Sequence, residues 1–208
     1  MSAGSALWLS DVPLLLASGS TTRRDMLQAA GIPIEIARPE IDERAVEKPL
    51  QDAGAPADAI AAALACAKAL AVSILHPGRL VLGADQTLNC AGASFHKPED
   101  MAAARDQITA LAGQTHELHS AFVLARDGSL IGEGGATARL TMRSLAPAFI
   151  ETYVAAMGDA ALTSVGAYQI EGIGAQLFET IEGDHFTILG LPLFAVLAAL
   201  REHGLLRH

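Results

Sequence analysis

The sequence predicts an α/β fold built on a mixed β-sheet, and three observations predict it. A short apolar run at residues 14–17 stops at small hydroxyl residues, after which a helix-like pattern opens at once. Strand-like and helix-like stretches then alternate through the first half of the chain, as a layered α/β arrangement requires. Residues 117–143 read as a hairpin with Asp127-Gly128 at its turn, which adds antiparallel pairing and makes the sheet mixed.

The elements follow in order. After the first strand and helix, residues 34–37 form a second strand. A polar loop punctuated by proline and glycine carries Glu40-Ile-Asp42-Glu43. Pro56 and Asp58 then introduce a long helix that runs to about Leu75 and ends at the His76-Pro77-Gly78 turn. Residues 79–83 are a buried strand leading into Ala84-Asp85-Gln86-Thr87. Pro98 starts a helix that closes at Gly113. Beyond the hairpin, Ser144 caps a helix over residues 146–157. A glycine-rich segment (166–174), a strand near 177–181 and a final helix from about Phe194 complete the chain.

Composition bounds what such a fold does. The 208 residues suit one domain, residues 14–208, behind an N-terminal extension of residues 1–13. With 51% hydrophobic and 18% charged residues the chain is ordered and globular. A net charge of -9 argues against nucleic acid as a partner, because binding it needs basic surface to displace counterions. Cys66 and Cys90 lack metal-ligand spacing and read as reduced thiols of a cytoplasmic protein. The extension lacks a basic secretory start, and Asp58 and Lys68 interrupt the Ala-rich stretch, so no membrane span is expected.

The chemistry-bearing residues begin at Ser18-Gly-Ser20-Thr-Thr22-Arg23-Arg24. A strand delivering small residues to a helix N-terminus makes an anion cradle, and Arg23 adds planar donors suited to phosphate oxygens. The same residues also serve as an ordinary Ser or Thr helix cap. Asp85 ends an apolar strand, where α/β sheets gather their sites and where an aspartate also serves as a plain strand-end cap or turn former. With the carboxylates Glu40, Asp42 and Glu43 it offers a set suited to Mg²⁺, which takes one or two carboxylates plus water and phosphate. Lys68 sits in an otherwise apolar helix, as an anion partner or as a snorkelling side chain. Lys97 precedes Pro98 at a helix start, where a cation is unfavourable without an anion nearby. Glu171, flanked by Ile170 and Ile173, reads either as a carboxylate in a partly apolar pocket, able to accept from the N1–H and 2-amino group of guanine, or as an ordinary loop acid. His116 and His185 belong to no ligand pattern.

In order along the chain, the segment 15–27, Ile41-Asp-Glu43, Leu64-Ala-Cys-Ala-Lys68-Ala, Gly83-Ala-Asp85, Lys97-Pro98, Ala112-Gly-Gln-Thr-His116, Gly166-Ala-Tyr-Gln-Ile-Glu-Gly and Gly190-Leu-Pro192 resemble the motifs of the Maf nucleotide pyrophosphatases. The resemblance implies a fold related to the inosine triphosphate pyrophosphatases: an elongated mixed sheet flanked by helices around a central cleft, often dimeric. It implies hydrolysis of a nucleoside triphosphate to monophosphate and pyrophosphate. Carried over by position, Ser18, Arg23, Glu43, Lys68, Asp85 and Lys97 form the catalytic pocket. Asp85 is its proton acceptor, and Asp85 and Glu43 hold Mg²⁺ or Mn²⁺. Thr21, Asp25 and His96 depart from the usual proline, glutamate and glycine.

Three positions bear on the base. Relatives of the dTTP/UTP type resemble one another in having Arg, Thr and Gln where this chain has Thr22, Gln86 and Glu171. Those of the 7-methyl-GTP type have Trp, Gln and Glu. Gln86 and Glu171 therefore lean toward 7-methyl-GTP or another purine nucleotide, and Thr22 matches neither pattern. The alternatives are a dTTP/UTP or broad-specificity enzyme, and a non-catalytic regulator of septum formation. The expected setting is cytoplasmic nucleotide house-cleaning, by a homodimer without membrane partners.

Overall fold

The structure, a computed structural model, describes residues 6–208. The expected extension 1–13 therefore lies partly outside the described residues, at 1–5. The elements are β1 (Leu14–Ala17), α1 (Thr21–Ala29), β2 (Ile34–Ile36), α2 (Glu43–Asp52), α3 (Ala57–Leu75), β3 (Val81–Cys90), β4 (Ala93–Phe95), α4 (Met101–Leu111), β5 (Thr115–Arg126), β6 (Ser129–Met142), α5 (Pro147–Met157), β7 (Phe178–Glu182), α6 (His185–Ile188) and α7 (Leu193–Glu202). The strands follow the order β2-β1-β3-β5-β6-β7, with β4 on β3. β1 pairs parallel with β2 and β3, whereas β3–β4 and β6–β7 are antiparallel. The mixed α/β class read from the sequence is thus the one observed. Asp127 and Gly128 both take positive φ (51° and 74°), the conformation a two-residue hairpin turn demands.

The chain divides into two compact units. The first comprises the stretch ending at Gln86, Ser120–Ala136 and His185–His208. Strand alternation organises it. Leu14 and Leu16 of β1 and Leu82 and Ala84 of β3 join a core with Met26, Leu27, Leu193 and Val196. The opposite faces carry Leu15, Ala17 and Val81, which pack on Val72 of α3. Helix α3 adds Ala61, Ala65 and Ala69 against Ala121, Val123 and Ala125. By length and composition α3 is apolar enough to cross a membrane, yet here this alanine stripe is buried against strands. The segment before β1 joins the same unit: Trp8 is buried, Leu9 donates to the Leu205 carbonyl and Arg207 donates to that of Leu7.

The second unit comprises Thr87–His119 and Thr137–Asp184. Ala104, Ile108 and Leu111 of α4 and Ile150, Tyr153 and Val154 of α5 supply its buried faces. The glycine-rich segment is a series of short 3₁₀ turns around Tyr168.

Four expectations need correction. Glu43 does not lie in a loop: it opens α2, because the Asp42 carboxylate accepts from Ala45 N–H at 3.2 Å and caps the helix. Asp85 does not end its strand, since β3 continues to Cys90 and pairs there with β4. Helix α4 starts at Met101, capped by Asp100, so Lys97 stands outside the helix start assigned to it. Ser144 does not cap α5; Ala146 precedes that helix, with Pro147 at the first helical position.

Candidate active site

A charged cluster forms in the first unit from two periodicities. On β3, Val81, Gly83 and Asp85 share the face turned to α3. On α3, Ala61, Ala65, Lys68, Ala69 and Val72 are buried together, a stripe at helical spacing. Gly83 sets the spacing between the two elements. A methyl group there would lie 2.3 Å from the Ala65 carbonyl oxygen and 2.7 Å from Ala69 N, so only glycine admits α3 this close.

The approach brings Lys68 Nζ to 2.5 Å from Asp85 Oδ1 and 2.9 Å from Glu43 Oε1. The Lys68 and Asp85 side chains are only 8% and 12% exposed, whereas Glu43 is 54% exposed at the start of α2. Lys68 therefore does not snorkel to solvent. Its ammonium donates to both carboxylates, and each carboxylate keeps a second oxygen outside these two contacts.

On the other side of β3, the anion loop is built as a hydrogen-bonded knot. Ser18 is buried, and its Oγ accepts from Ser20 N–H at 3.2 Å and from Arg23 Nη1 at 3.2 Å. Ser20 caps α1 by accepting from Arg23 N–H at 3.3 Å. Arg23 donates through Nε to the Gly190 carbonyl at 2.8 Å and through Nη1 to that of Ala84 at 2.9 Å. Burial pushes its pKa down from the ordinary value, against the pull of Asp85 and Glu43. The arginine read as a phosphate ligand is thus also a brace tying α1 to β3. Thr22 is half-buried in the first turn of α1.

Gln86 points to the face opposite Asp85. Its amide nitrogen donates to Ser120 Oγ (3.1 Å) and to the carbonyls of Thr187 (2.9 Å) and Ile188 (3.1 Å). Two carbonyl partners require the nitrogen on that side, so the amide faces outward with its carbonyl oxygen. A methyl group on Gly190 would meet that oxygen and Arg23 Nη2, each at 3.5 Å. Ser120 and Thr187 were not singled out in the sequence, since nothing local marks a residue as the acceptor of a distant amide.

Lys97 and Glu171 belong to the second unit, where both are exposed. Glu171 occupies a turn beside Ile170, half-buried, and Ile173, itself exposed, so the apolar surround expected for it is not seen within that unit. The buried polar group there is His116, neutral in character. Its Nε2 lies 2.7 Å from Tyr168 Oη, with Phe178 packed against both rings. Burial pushes the His116 pKa down to about 4 and Tyr168 well up.

Among the described residues no group of three or more His, Cys, Asp or Glu is arranged to hold a metal. The Glu43–Asp85 pair still fits Mg²⁺, which takes few protein carboxylates and completes its shell with water and substrate phosphate.

Residues 13–203 match the family model for Maf-like proteins. The chain belongs to the Maf family. It is 53% identical to a 7-methyl-GTP pyrophosphatase of Mesorhizobium japonicum over 191 residues, which are 92% of this chain and 96% of that one. A nucleoside triphosphate pyrophosphatase of Rhodopseudomonas palustris is 54% identical over 200 residues, 96% of this chain and 98% of its own. Among solved structures, a HAM1 protein from Coxiella burnetii is 14% identical, over 63% of this chain and 73% of that one, with a TM-score of 0.45.

Proposed function

We propose that this Maf chain hydrolyses a nucleoside triphosphate to the monophosphate and pyrophosphate, with 7-methyl-GTP or another purine nucleotide preferred. The observation that carries the reading is the buried Lys68 ammonium held between Asp85 and Glu43. The ammonium holds both carboxylates in place, each with an oxygen outside its contact with Lys68, as a general base and a metal-binding pair need.

In this reading water attacks the α-phosphorus as the bond to the bridging oxygen breaks, and pyrophosphate departs with that oxygen. The free Asp85 oxygen takes the proton from water. Lys68 and Arg23 stabilise the charge that develops on the phosphate oxygens, and the Ser18 hydroxyl, which accepts two hydrogen bonds, keeps its own proton to donate. Lys97 is proposed as a further cation for phosphate and Glu171 as the carboxylate that reads the base. A divalent cation held by Glu43 and Asp85, Mg²⁺ or Mn²⁺, would neutralise phosphate charge and activate water. The family match over residues 13–203 supports one functional domain over residues 14–208.

The base preference rests on Gln86 and Glu171. With its amide hydrogens spent internally, Gln86 offers a base only an acceptor, which serves a ring N–H or amino donor and not a carbonyl. The names of relatives such as the Mesorhizobium enzyme agree. A broader specificity is the second reading, favoured by Thr22, which supplies no aromatic face for a cationic base.

Pyrophosphate release over a panel of nucleoside triphosphates, with Mg²⁺ or Mn²⁺, tests the proposal. The expected result is turnover led by 7-methyl-GTP or a purine triphosphate, falling about 10²–10⁴-fold in Asp85→Asn. Absence of turnover across the panel overturns the enzyme reading. Dominance of dTTP and UTP overturns the base assignment alone.

A further inference from the structure

We propose that Arg38 is a further substrate-binding residue, a cation for the outer phosphates at the Ser18–Ser20 loop. The inference rests on the proposed pyrophosphatase reading and deepens it.

Parallel pairing of β2 with β1 continues past the strand ends, with Ala37 N–H donating to the Leu16 carbonyl at 3.1 Å. That hydrogen bond carries the next residue, Arg38, alongside the loop. A methyl group added at Gly19 would lie 3.8 Å from Arg38 Nε, with no other heavy atom within 4 Å. The guanidinium therefore borders the loop at the one residue without a side chain.

The other arginines around β1 are committed. Arg23 commits Nε and Nη1 to Gly190, Ser18 and Ala84, which leaves only Nη2 for a ligand; Arg24 pairs with Asp25 at 2.7 Å; and Arg79 pairs with Glu35 at 2.8 Å while donating to the Pro13 carbonyl. Among the hydrogen bonds and ion pairs of the described residues Arg38 has none, and it is exposed. Its full set of donors is available to a ligand.

Charge balance gives those donors a purpose. In the first unit, Lys68 and Arg23 face Asp85 and Glu43, two cations against two carboxylates. That cluster has no net positive charge to offer a polyanion. Arg38 supplies one, on a planar fork matched to phosphate oxygens. Arg23 and Lys68 thus serve the reacting phosphate, and Arg38 serves the phosphates that leave.

The test compares wild type with Arg38→Met, which keeps much of the apolar stem, and with Arg38→Lys, which keeps the charge. Arg38→Met should raise KM for the triphosphate roughly 10-fold, the worth of one charge-assisted hydrogen bond, with kcat changed less than about twofold. Inhibition by pyrophosphate should weaken by the same factor, inhibition by the nucleoside monophosphate should not, and Arg38→Lys should recover part of the loss. Binding of inorganic pyrophosphate by calorimetry gives a readout independent of turnover. An unchanged KM and unchanged pyrophosphate binding in a folded Arg38→Met overturn the proposal. So does equal weakening of both products. A wild type without turnover sinks the pyrophosphatase reading instead, and the calorimetric comparison then still decides Arg38.

Discussion

The two units bury polar groups in opposite ways. The first buries charge: Lys68 and Asp85 lie between helix and strand as an ion pair, with Glu43 reaching the same ammonium from α2. The second buries neutrality: His116 and Tyr168 share a hydrogen bond among aromatic rings, and burial keeps both uncharged near neutral pH. A buried ion pair is a poor way to stabilise a fold, since desolvation offsets much of its attraction. A buried neutral pair is a sound one. The difference shows that the first unit keeps a charged cluster whose retention stability alone does not explain, whereas the polar pair of the second unit is consistent with a packing role.

Removing one partner breaks that contrast most sharply. Lys68→Met leaves Asp85 buried without its cation and should cost about 3–5 kcal/mol, read as a lowered urea midpoint at pH 7. Unchanged stability would mean that the pair is more solvated than the structure shows.

The second unit should instead respond to acid. The His116 pKa is lowered in the folded chain, whereas the unfolded chain takes up its proton at about pH 6.5. The unfolded state therefore binds more protons below that pH. The stabilising contribution is full above about 6.5 and lost progressively as the pH falls toward about 4, a total of about 3 kcal/mol. Urea unfolding of His116→Gln between pH 7 and 4.5 should show a flatter pH dependence than wild type. Equal slopes would assign the acid response to other groups.

The smallest effect probes the spacing itself. Gly83→Ala forces a methyl group against the α3 backbone and should destabilise by about 1–3 kcal/mol. Activity should fall with it, because Lys68 and Asp85 ride on the two elements pushed apart.

Much of this was legible in the sequence, for local reasons. The apolar run ending in Ser18, the helix bounded by Pro56 and His76-Pro77-Gly78, and the Asp127-Gly128 turn each carry their own signal. Lys68 in an apolar helix and Asp85 behind an apolar strand flagged the two side chains that the structure joins. Helix α2 escaped notice because its acids and Pro49 read as a loop, while its start depends on the single Asp42 cap. The length of β3 depends on pairing with β4, and the commitments of Gln86 and Arg23 depend on partners about 100 and 167 residues away. Arg38 carried no local signal either, since its significance lies in standing over Gly19 and in what it fails to pair with.

The most direct test of the first unit's chemistry is hydrolysis of the preferred triphosphate in ¹⁸O-labelled water. Attack at the α-phosphorus by water deprotonated at Asp85 predicts one ¹⁸O in the nucleoside monophosphate, unlabelled pyrophosphate, and loss of both products in Asp85→Asn. Label in the pyrophosphate, or release of orthophosphate as the first product, would contradict it.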